Sequence, residues 1–187
     1  MNLFDNVTDI TNFIINSKVK IGDTVLDLTM GNGNDTLYLA KKVSQKGKVY
    51  SFDIQNEAVE NTSKLLRENN IKNAVLIKDN HKNVLNYVKE KVDFGVYNLG
   101  YLPGYDKHIV TKSESTVESL KNVITLLNIK GIICICAYVG HEGGYEEYLK
   151  VKEYCINLPK RNFNVLLLEH INRSENAPRM IIIEKIK

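Results

Sequence analysis

Short apolar runs alternate along the chain with longer stretches in which apolar residues recur every three or four positions. The short runs are typical of buried strands and the longer stretches are typical of amphipathic helices. This pattern predicts seven strands, at residues 24–28, 48–52, 74–78, 92–99, 131–138, 163–170 and 179–185. It predicts helices at about 34–43, 56–66, 82–87, 115–127 and 145–155. An opening helix, capped by Asp5 or Asn6, is predicted from one apolar face formed by Val7, Ile10, Phe13 and Ile14.

The alternation of strands and helices predicts βαβ units and therefore an α/β fold. We expect a Rossmann-like, mainly parallel sheet of seven strands with helices on both faces. No helix separates the last two predicted strands, which indicates one antiparallel strand near the edge of the sheet. Ligands of such sheets bind at the carboxyl ends of the strands, and the polar motifs described below all fall at such ends.

The 187 residues contain no linker-like or repetitive segment, which predicts a single domain over residues 1–187. No apolar run approaches the ~18 residues of a membrane span, and the first residues lack the pattern of a signal peptide, so we expect a cytoplasmic protein without a membrane partner. The net charge of +3 is spread evenly and permits an RNA partner without arguing for one. The three cysteines are predicted to be buried and reduced, and no spacing indicates a metal site.

A glycine turn between the first strand and the next helix is the most informative motif. A dinucleotide-binding turn requires a third glycine where this chain has Thr36, and the carboxylates of Asp27 and Asp35 would repel a pyrophosphate. A cofactor that carries an ammonium and a sulfonium fits this charge better, so we predict S-adenosylmethionine as the cofactor. The residues predicted to bind it here are Asp27, Thr29, Gly31, Asn32, Gly33, Asn34, Asp35 and Thr36.

Two further strand ends carry acidic residues suited to an adenosine group. Asp53, followed by Gln55, ends the second strand and can accept hydrogen bonds from both ribose hydroxyls; the alternative is that it caps the next helix. Asp79 follows the third strand and can accept the adenine amino group, with His81 or Asn80 closing the pocket. Asp79 and Asn80 can also simply form a turn, and His81 can be a buried histidine without a catalytic role.

The fourth strand ends in Asn98-Leu-Gly-Tyr101, which resembles the Asn-Pro-Pro-Tyr loop of amino-group methyltransferases. The side-chain oxygen of Asn98 and the carbonyl of Leu99 can accept the two N–H bonds of an amine and point its lone pair at a methyl group. Tyr101 can stack on a flat base. Asn98 is also placed among the cofactor-binding residues. The chain departs from that loop because leucine and glycine replace both prolines.

Residues after the fourth and fifth strands complete the predicted rim. An alkyl amine must lose a proton before it attacks, and His141 and Asp106 are the candidates to accept that proton. His141 can equally be a solvated loop histidine. The predicted catalytic residues are therefore Asn98, Tyr101, Asp106 and His141. The predicted substrate-binding residues are Tyr101, Pro103, Gly104, Lys107 and His141. The polar positions Glu146, Glu147, Lys150 and Lys152 are interpreted as a solvated helix face.

These motifs together resemble one bacterial family, long labelled "putative rRNA methylase", over nearly the whole chain. The strings that carry the resemblance are residues 27–36, 52–55, 98–104 and 140–143. Members of this family are similar to the tRNA 5-(aminomethyl)-2-thiouridine methyltransferases. The resemblance implies a class I methyltransferase fold, S-adenosylmethionine as cofactor, a homodimer, and methylation of the wobble uridine side chain to 5-methylaminomethyl-2-thiouridine. One departure is Tyr105, where the family has a small residue.

The resemblance also implies tRNA, through its anticodon stem-loop, as the partner. The phosphates would contact Lys107, Lys112, Arg173 and Arg179. Four other functions remain open at this point: a small-molecule amine methyltransferase, an rRNA base N-methyltransferase, a protein glutamine methyltransferase and a S-adenosylmethionine-binding protein that methylates nothing. The glutamine methyltransferases usually carry an added recognition domain, and we expect none within these 187 residues.

Overall fold

The computed structural model describes residues 5–105 and 108–187 and contains one seven-stranded sheet over that range. The strands are β1 Thr24–Asp27, β2 Lys48–Asp53, β3 Ala74–Lys78, β4 Val92–Leu99, β5 Leu127–Ala137, β6 Phe163–Leu168 and β7 Arg179–Lys185. Their order in the sheet is β3-β2-β1-β4-β5-β7-β6. The strands β1 to β5 pair in parallel, whereas β7 is antiparallel to both of its neighbours. The predicted α/β class, and the antiparallel strand near the edge, are confirmed.

Helices cover both faces of this sheet. They are α1 Val7–Lys18, α2 Asn34–Val43, α3 Asn56–Glu68, α4 Val84–Tyr87, α5 Ser113–Leu126 and α6 Gly144–Ile156, and a 3₁₀ turn at His81–Asn83 precedes α4. One apolar cluster joins the sheet to α1 and α2, and another joins it to α4, α5 and α6. A parallel sheet that is buried on both faces requires strands that are apolar throughout, as β1, β4 and β5 largely are.

The opening helix differs from its predicted face. Phe13 is 54% exposed, and the neighbouring Ile15 is fully buried instead. The buried stripe therefore runs from Val7 through Ile10 to Ile15, because a helix turns by 3.6 residues and the stripe drifts over two turns. Asn6 caps this helix by accepting the N–H of Asp9, which confirms one of the two predicted caps.

Several other element boundaries differ from the pattern: strand β6 ends at Leu168 rather than at residue 170, and the largest difference is at the start of β5. Strand β5 begins at Leu127 rather than at residue 131, since its pairing with β4 continues across a register shift near Lys130, which has φ of +69°. Leu127, which the pattern placed at the end of the helix over residues 115–127, therefore belongs to the strand. The three cysteines are free and buried, as predicted.

Candidate active site

A cavity of about 910 Å³ opens at the carboxyl ends of the parallel strands. Its wall comes from the turn after β1, the ends of β2, β3 and β4, and the loop after β5. The predicted site residues that line it are Thr29, Gly31, Asn32, Asn34, Asp35, Asp53, Gln55, Asp79, His81, Asn98, Tyr101, Pro103, Lys112 and His141. The fold thus brings most of the predicted residues to one cavity. Asp106 and Lys107 lie outside the described residues.

Asp27, Gly33, Thr36 and Gly104 do not line the cavity. Asp27 is fully buried beneath the glycine turn, and its carboxylate accepts the Thr36 hydroxyl at 2.6 Å and the Thr29 N–H at 3.3 Å. The Thr36 hydroxyl also lies 2.6 Å from that of Ser51. Burial, together with the negative charge of Asp35, raises the pKa of Asp27. Asp27 and Thr36 therefore shape the turn from below.

The glycine turn fits closely between β1 and α3. Gly31 and Gly33 have positive φ angles of 52° and 80°, and a Cβ atom on Gly33 would lie 2.6 Å from the Thr62 hydroxyl. The Gly31 N–H donates to one Asp53 oxygen at 3.0 Å, and the Gln55 N–H donates to the other at 3.0 Å. Each carboxylate oxygen can accept a second bond. Asp53 can thus hold the backbone and still accept ribose hydroxyls. It does not cap α3, whose N-cap residue is Gln55 and which has no side-chain capping bond.

The wall after β3 combines a hydrogen-bonded carboxylate with a buried imidazole. Asp79 accepts bonds from the side chains of Asn83 and Tyr87, both at 2.9 Å. His81 is only 8% exposed, and its Nδ1 atom has no hydrogen-bond partner. Burial lowers the pKa of His81 to about 4, so this ring is neutral at physiological pH. An orphaned acceptor or donor on a cavity wall favours a polar ligand such as a purine.

Asn98 is held in one orientation by two contacts. Its side-chain Nδ2 donates to the Asp35 carboxylate at 2.7 Å, and its backbone N–H donates to the Thr29 hydroxyl at 2.6 Å. Because an ionised carboxylate only accepts hydrogen bonds, Asp35 selects the amide rotamer with nitrogen toward α2. The Asn98 oxygen is therefore left to accept a bond from another donor. Burial raises the pKa of Asp35, and the bond from Asn98 opposes that shift.

Tyr101 and His141 face each other across the end of the cavity. Their rings are edge-to-face, with centroids 5.9 Å apart. The His141 Nδ1 lies 2.9 Å from the Glu142 carbonyl oxygen, which requires a proton on Nδ1. In the neutral ring Nε2 is then the unprotonated nitrogen, and it is buried without a partner. This arrangement places an unpartnered imidazole nitrogen close to an aromatic ring.

The segment after β4, here called the acceptor loop (residues 98–105), crosses over the glycine turn. The Asn32 side chain donates to the Pro103 carbonyl at 3.3 Å, and Asn61 on α3 donates to the Tyr105 hydroxyl at 2.9 Å. Tyr105 therefore fastens the loop to α3.

One buried acid was missed in the sequence. Glu147 is 4% exposed and accepts the hydroxyls of Thr111 at 2.6 Å and Thr116 at 2.7 Å, so its prediction as part of a solvated face is wrong. Burial raises its pKa, while the two hydroxyls oppose that shift. Its spacing offered a signal, because it lies four residues before the buried Val151 on the stripe of α6.

The charge of the cavity favours a cationic ligand. The lining residues within the described ranges include five carboxylates and two lysines: Asp35, Asp53, Asp79, Glu114, Glu118, Lys82 and Lys112. The positive ammonium and sulfonium of S-adenosylmethionine are attracted by these carboxylates, whereas a pyrophosphate is repelled by them. Residues 5–105 and 108–187 hold no group of three metal-ligating side chains, and none of their helices is long and apolar enough to cross a bilayer.

The comparisons with known proteins agree with this geometry. The family model described as "Putative rRNA methylase" matches residues 49–184. The chain belongs to this family. A relative from Arabidopsis thaliana, "tRNA (mnm(5)s(2)U34)-methyltransferase, chloroplastic", is 36% identical over 189 aligned residues, which cover 95% of this chain and 69% of the relative.

Solved structures of similar proteins show the same fold. A Clostridium thermocellum protein described as a "putative rRNA-methylase" has a TM-score of 0.95 at 40% identity, covering 97% of this chain and 98% of its own. A "putative methyltransferase" from Streptococcus mutans, crystallised with S-adenosylhomocysteine (SAH), has a TM-score of 0.88 at 31% identity, with coverages of 96% and 97%. The protein is therefore a class I methyltransferase that depends on S-adenosylmethionine, which confirms the predicted enzyme class and cofactor.

Proposed function

We propose that this enzyme methylates the aminomethyl group of wobble 5-aminomethyl-2-thiouridine in tRNA, giving 5-methylaminomethyl-2-thiouridine. The observation that carries the proposal is the Asn98 amide, which Asp35 turns so that its oxygen is left to accept an N–H bond at the cavity. An oriented acceptor beside an aromatic ring suits an amine attached to a flat base. The similarity to the Arabidopsis relative, which is named as a tRNA (mnm(5)s(2)U34)-methyltransferase, supports the same substrate.

The cofactor half of the cavity lies along the strands β1 to β3. We assign the ribose to Asp53 and the adenine to Asp79 and His81, since these side chains follow consecutive strands on one wall. Asp35, on the opposite side of the glycine turn, faces the end that would carry the amino acid and the sulfonium. When bound, S-adenosylmethionine supplies an electrophilic methyl group on sulfur. The residues around it provide placement and a negative potential.

The acceptor half lies along the acceptor loop. The Asn98 oxygen and the Leu99 carbonyl would accept the two N–H bonds of the amine; that carbonyl already accepts the Tyr138 N–H at 3.2 Å and keeps a second lone pair. Tyr101 would stack on the base. The amine must be neutral to attack, and the bare Nε2 of His141 is the described group best placed to take its proton.

The RNA would reach this cavity with the wobble base flipped out of the anticodon stack. Lys82 and Lys112 line the cavity and are the described cations best placed for the flanking phosphates. Arg179 is less suited to bind RNA phosphates than the sequence analysis predicted. Its side chain is only 17% exposed, pairs with Glu169 and packs over two tyrosine rings. Arg173 donates to the Asp5 carbonyl. Binding through so few cations should be of moderate affinity, and it should fall as salt rises, with a shallow slope.

The test is methyl incorporation into tRNA that carries 5-aminomethyl-2-thiouridine, beside the same tRNA without the aminomethyl group. We expect labelling of the first tRNA and of its isolated anticodon stem-loop, and none of the second. Equal labelling of both tRNAs would exclude the amine as acceptor and favour a base methyltransferase, including one acting on rRNA. Labelling of free amines alone would favour the small-molecule enzyme, and binding without any transfer would favour a cofactor sensor.

We also propose that the enzyme is a homodimer, because the edge strand β6 exposes apolar side chains. Leu166 is 60% exposed, and Leu167 and Leu168 are each 38% exposed. Contiguous exposed apolar residues on a sheet edge favour association with another chain. The cytoplasmic location stays a prediction.

Analytical ultracentrifugation of the Leu166→Lys variant tests the dimer. We expect the wild type to sediment as a dimer at micromolar concentration and the variant to sediment as a monomer, since a charge in an apolar interface lacks a partner. Val75→Lys, on the opposite edge strand β3, is the matched control because Val75 is 39% exposed. A monomeric wild type, or a dimer in both variants, would reject this edge as the interface.

A further inference from the structure

A buried carboxylate outside the cavity lining is linked to the acceptor loop. Glu147 on α6 accepts the Thr116 hydroxyl from α5 and the Thr111 hydroxyl from the segment that leads into α5. Each threonine hydroxyl uses its single proton to donate a hydrogen bond to this carboxylate. Each of them is then left as an acceptor for any further hydrogen bond.

Thr111 is also hydrogen-bonded to the acceptor loop. The Gly100 N–H donates to the Thr111 hydroxyl oxygen at 3.0 Å, and the Thr111 N–H donates to the Gly100 carbonyl at 3.0 Å. Gly100 lies between Asn98 and Tyr101, the two residues that would bind the acceptor. A chain of hydrogen bonds therefore runs from Gly100 through Thr111 to the carboxylate of Glu147.

We propose that Glu147 is a positioning residue that fixes the acceptor loop through Thr111. Each of its two oxygens accepts one threonine hydroxyl and so fixes the orientation of that hydroxyl. Of the two, only the Thr111 hydroxyl also accepts a bond from Gly100. Loss of the carboxylate would free Thr111 to turn and would loosen the backbone between Asn98 and Tyr101. Asp53 and Asp79 in the cofactor half would keep their own partners, because neither carboxylate is bonded to Glu147, Thr111 or Gly100. The expected effect on turnover rests on the proposed function.

The competing interpretation is that Glu147 only ties α6 to α5. Two matched substitutions separate the interpretations. Thr111→Val and Thr116→Val each remove one hydroxyl bond to the same carboxylate, at 2.6 Å and 2.7 Å. Only the first also removes the bond from the Gly100 N–H to a side chain, while the backbone bond from the Thr111 N–H to the Gly100 carbonyl remains. A purely structural carboxylate would give the two variants similar activities. A positioning role requires that they differ.

Steady-state kinetics measures this difference. We expect Glu147→Gln and Thr111→Val to lower kcat about 10- to 100-fold, because small displacements of reacting groups have effects of that size. Thr111→Ser, which keeps the hydroxyl, should restore most of the activity. Thr116→Val should lower the unfolding temperature while keeping kcat within about twofold of the wild type. The exposed control Glu146→Gln should change neither the unfolding temperature nor kcat. SAH affinity should be unchanged in all of these variants.

Hydrogen–deuterium exchange tests the same link without a substrate. Peptides that contain Gly100 should exchange faster in Glu147→Gln and Thr111→Val than in Thr116→Val, Glu146→Gln or the wild type. Equal exchange in the two valine variants, or equal losses of kcat, would overturn the proposal. If the wild type fails to methylate the aminomethyl tRNA while the exchange difference is present, the substrate assignment fails and the role of Glu147 stands.

Discussion

Replacing Asn98 with alanine is expected to lower kcat about a hundredfold or more while leaving the affinity for SAH within a few fold. The Asn98 oxygen, fixed by the 2.7 Å bond from its Nδ2 to Asp35, is the acceptor that would align the amine with the methyl group. Alanine removes that acceptor but leaves the ribose and adenine sites in place. Single-turnover kinetics with the aminomethyl tRNA, together with calorimetric titration of SAH, measures both quantities.

The chain offers a close control for this substitution. Asn128 donates to the Asp93 carboxylate at 2.7 Å at the opposite end of the sheet, so Asn128→Ala breaks an equivalent pair away from the cavity. This control should lose stability and keep its turnover. Normal turnover in folded Asn98→Ala would mean that Asn98 only shapes the turn after β4.

Replacing Asp53 with alanine should weaken cofactor binding by roughly 2–4 kcal/mol, since two hydrogen bonds to a charged acceptor are lost. The substitution also removes the acceptor for the Gly31 N–H, so the glycine turn itself becomes less ordered. Calorimetric titration with S-adenosylmethionine measures the change.

The matched control is Asp23→Ala, which removes a carboxylate that accepts the Lys20 N–H in a turn remote from the cavity. Its affinity for the cofactor should equal that of the wild type. Unchanged affinity in a folded Asp53→Ala variant would refute the ribose assignment, and tight binding of NAD would refute the interpretation of the whole cavity.

Much of the fold could be predicted because its elements end at clear local signals. Strands β3, β4 and β7 and helix α2 match their predicted bounds, since each is an apolar or periodic segment flanked by turn-forming or charged residues. Strand β5 did not, because its predicted start was Gly131, whereas the strand begins at Leu127 and continues through Lys130. Whether a strand passes through a bulge depends on its neighbour, here β4, and not on its own residues.

The site was predictable as a set of strand ends but not as a network. Asp35 and Asn98 are 63 residues apart, and Thr111 and Glu147 are 36 apart, so no local spacing indicates that they bond. Asp27 illustrates the same limit, because its burial beneath Thr36 follows from the packing of α2 on the sheet. Sequence patterns place polar residues at an edge, and packing decides which of them face the ligand.

The proposed function is tested most directly by mass spectrometry of tRNA nucleosides from cells with and without this protein. We expect 5-methylaminomethyl-2-thiouridine to disappear and 5-aminomethyl-2-thiouridine to accumulate when the protein is absent. The wild-type gene, but not the Asn98→Ala variant, should reverse the change. An unchanged level of 5-methylaminomethyl-2-thiouridine in cells that lack the protein would contradict the proposed function.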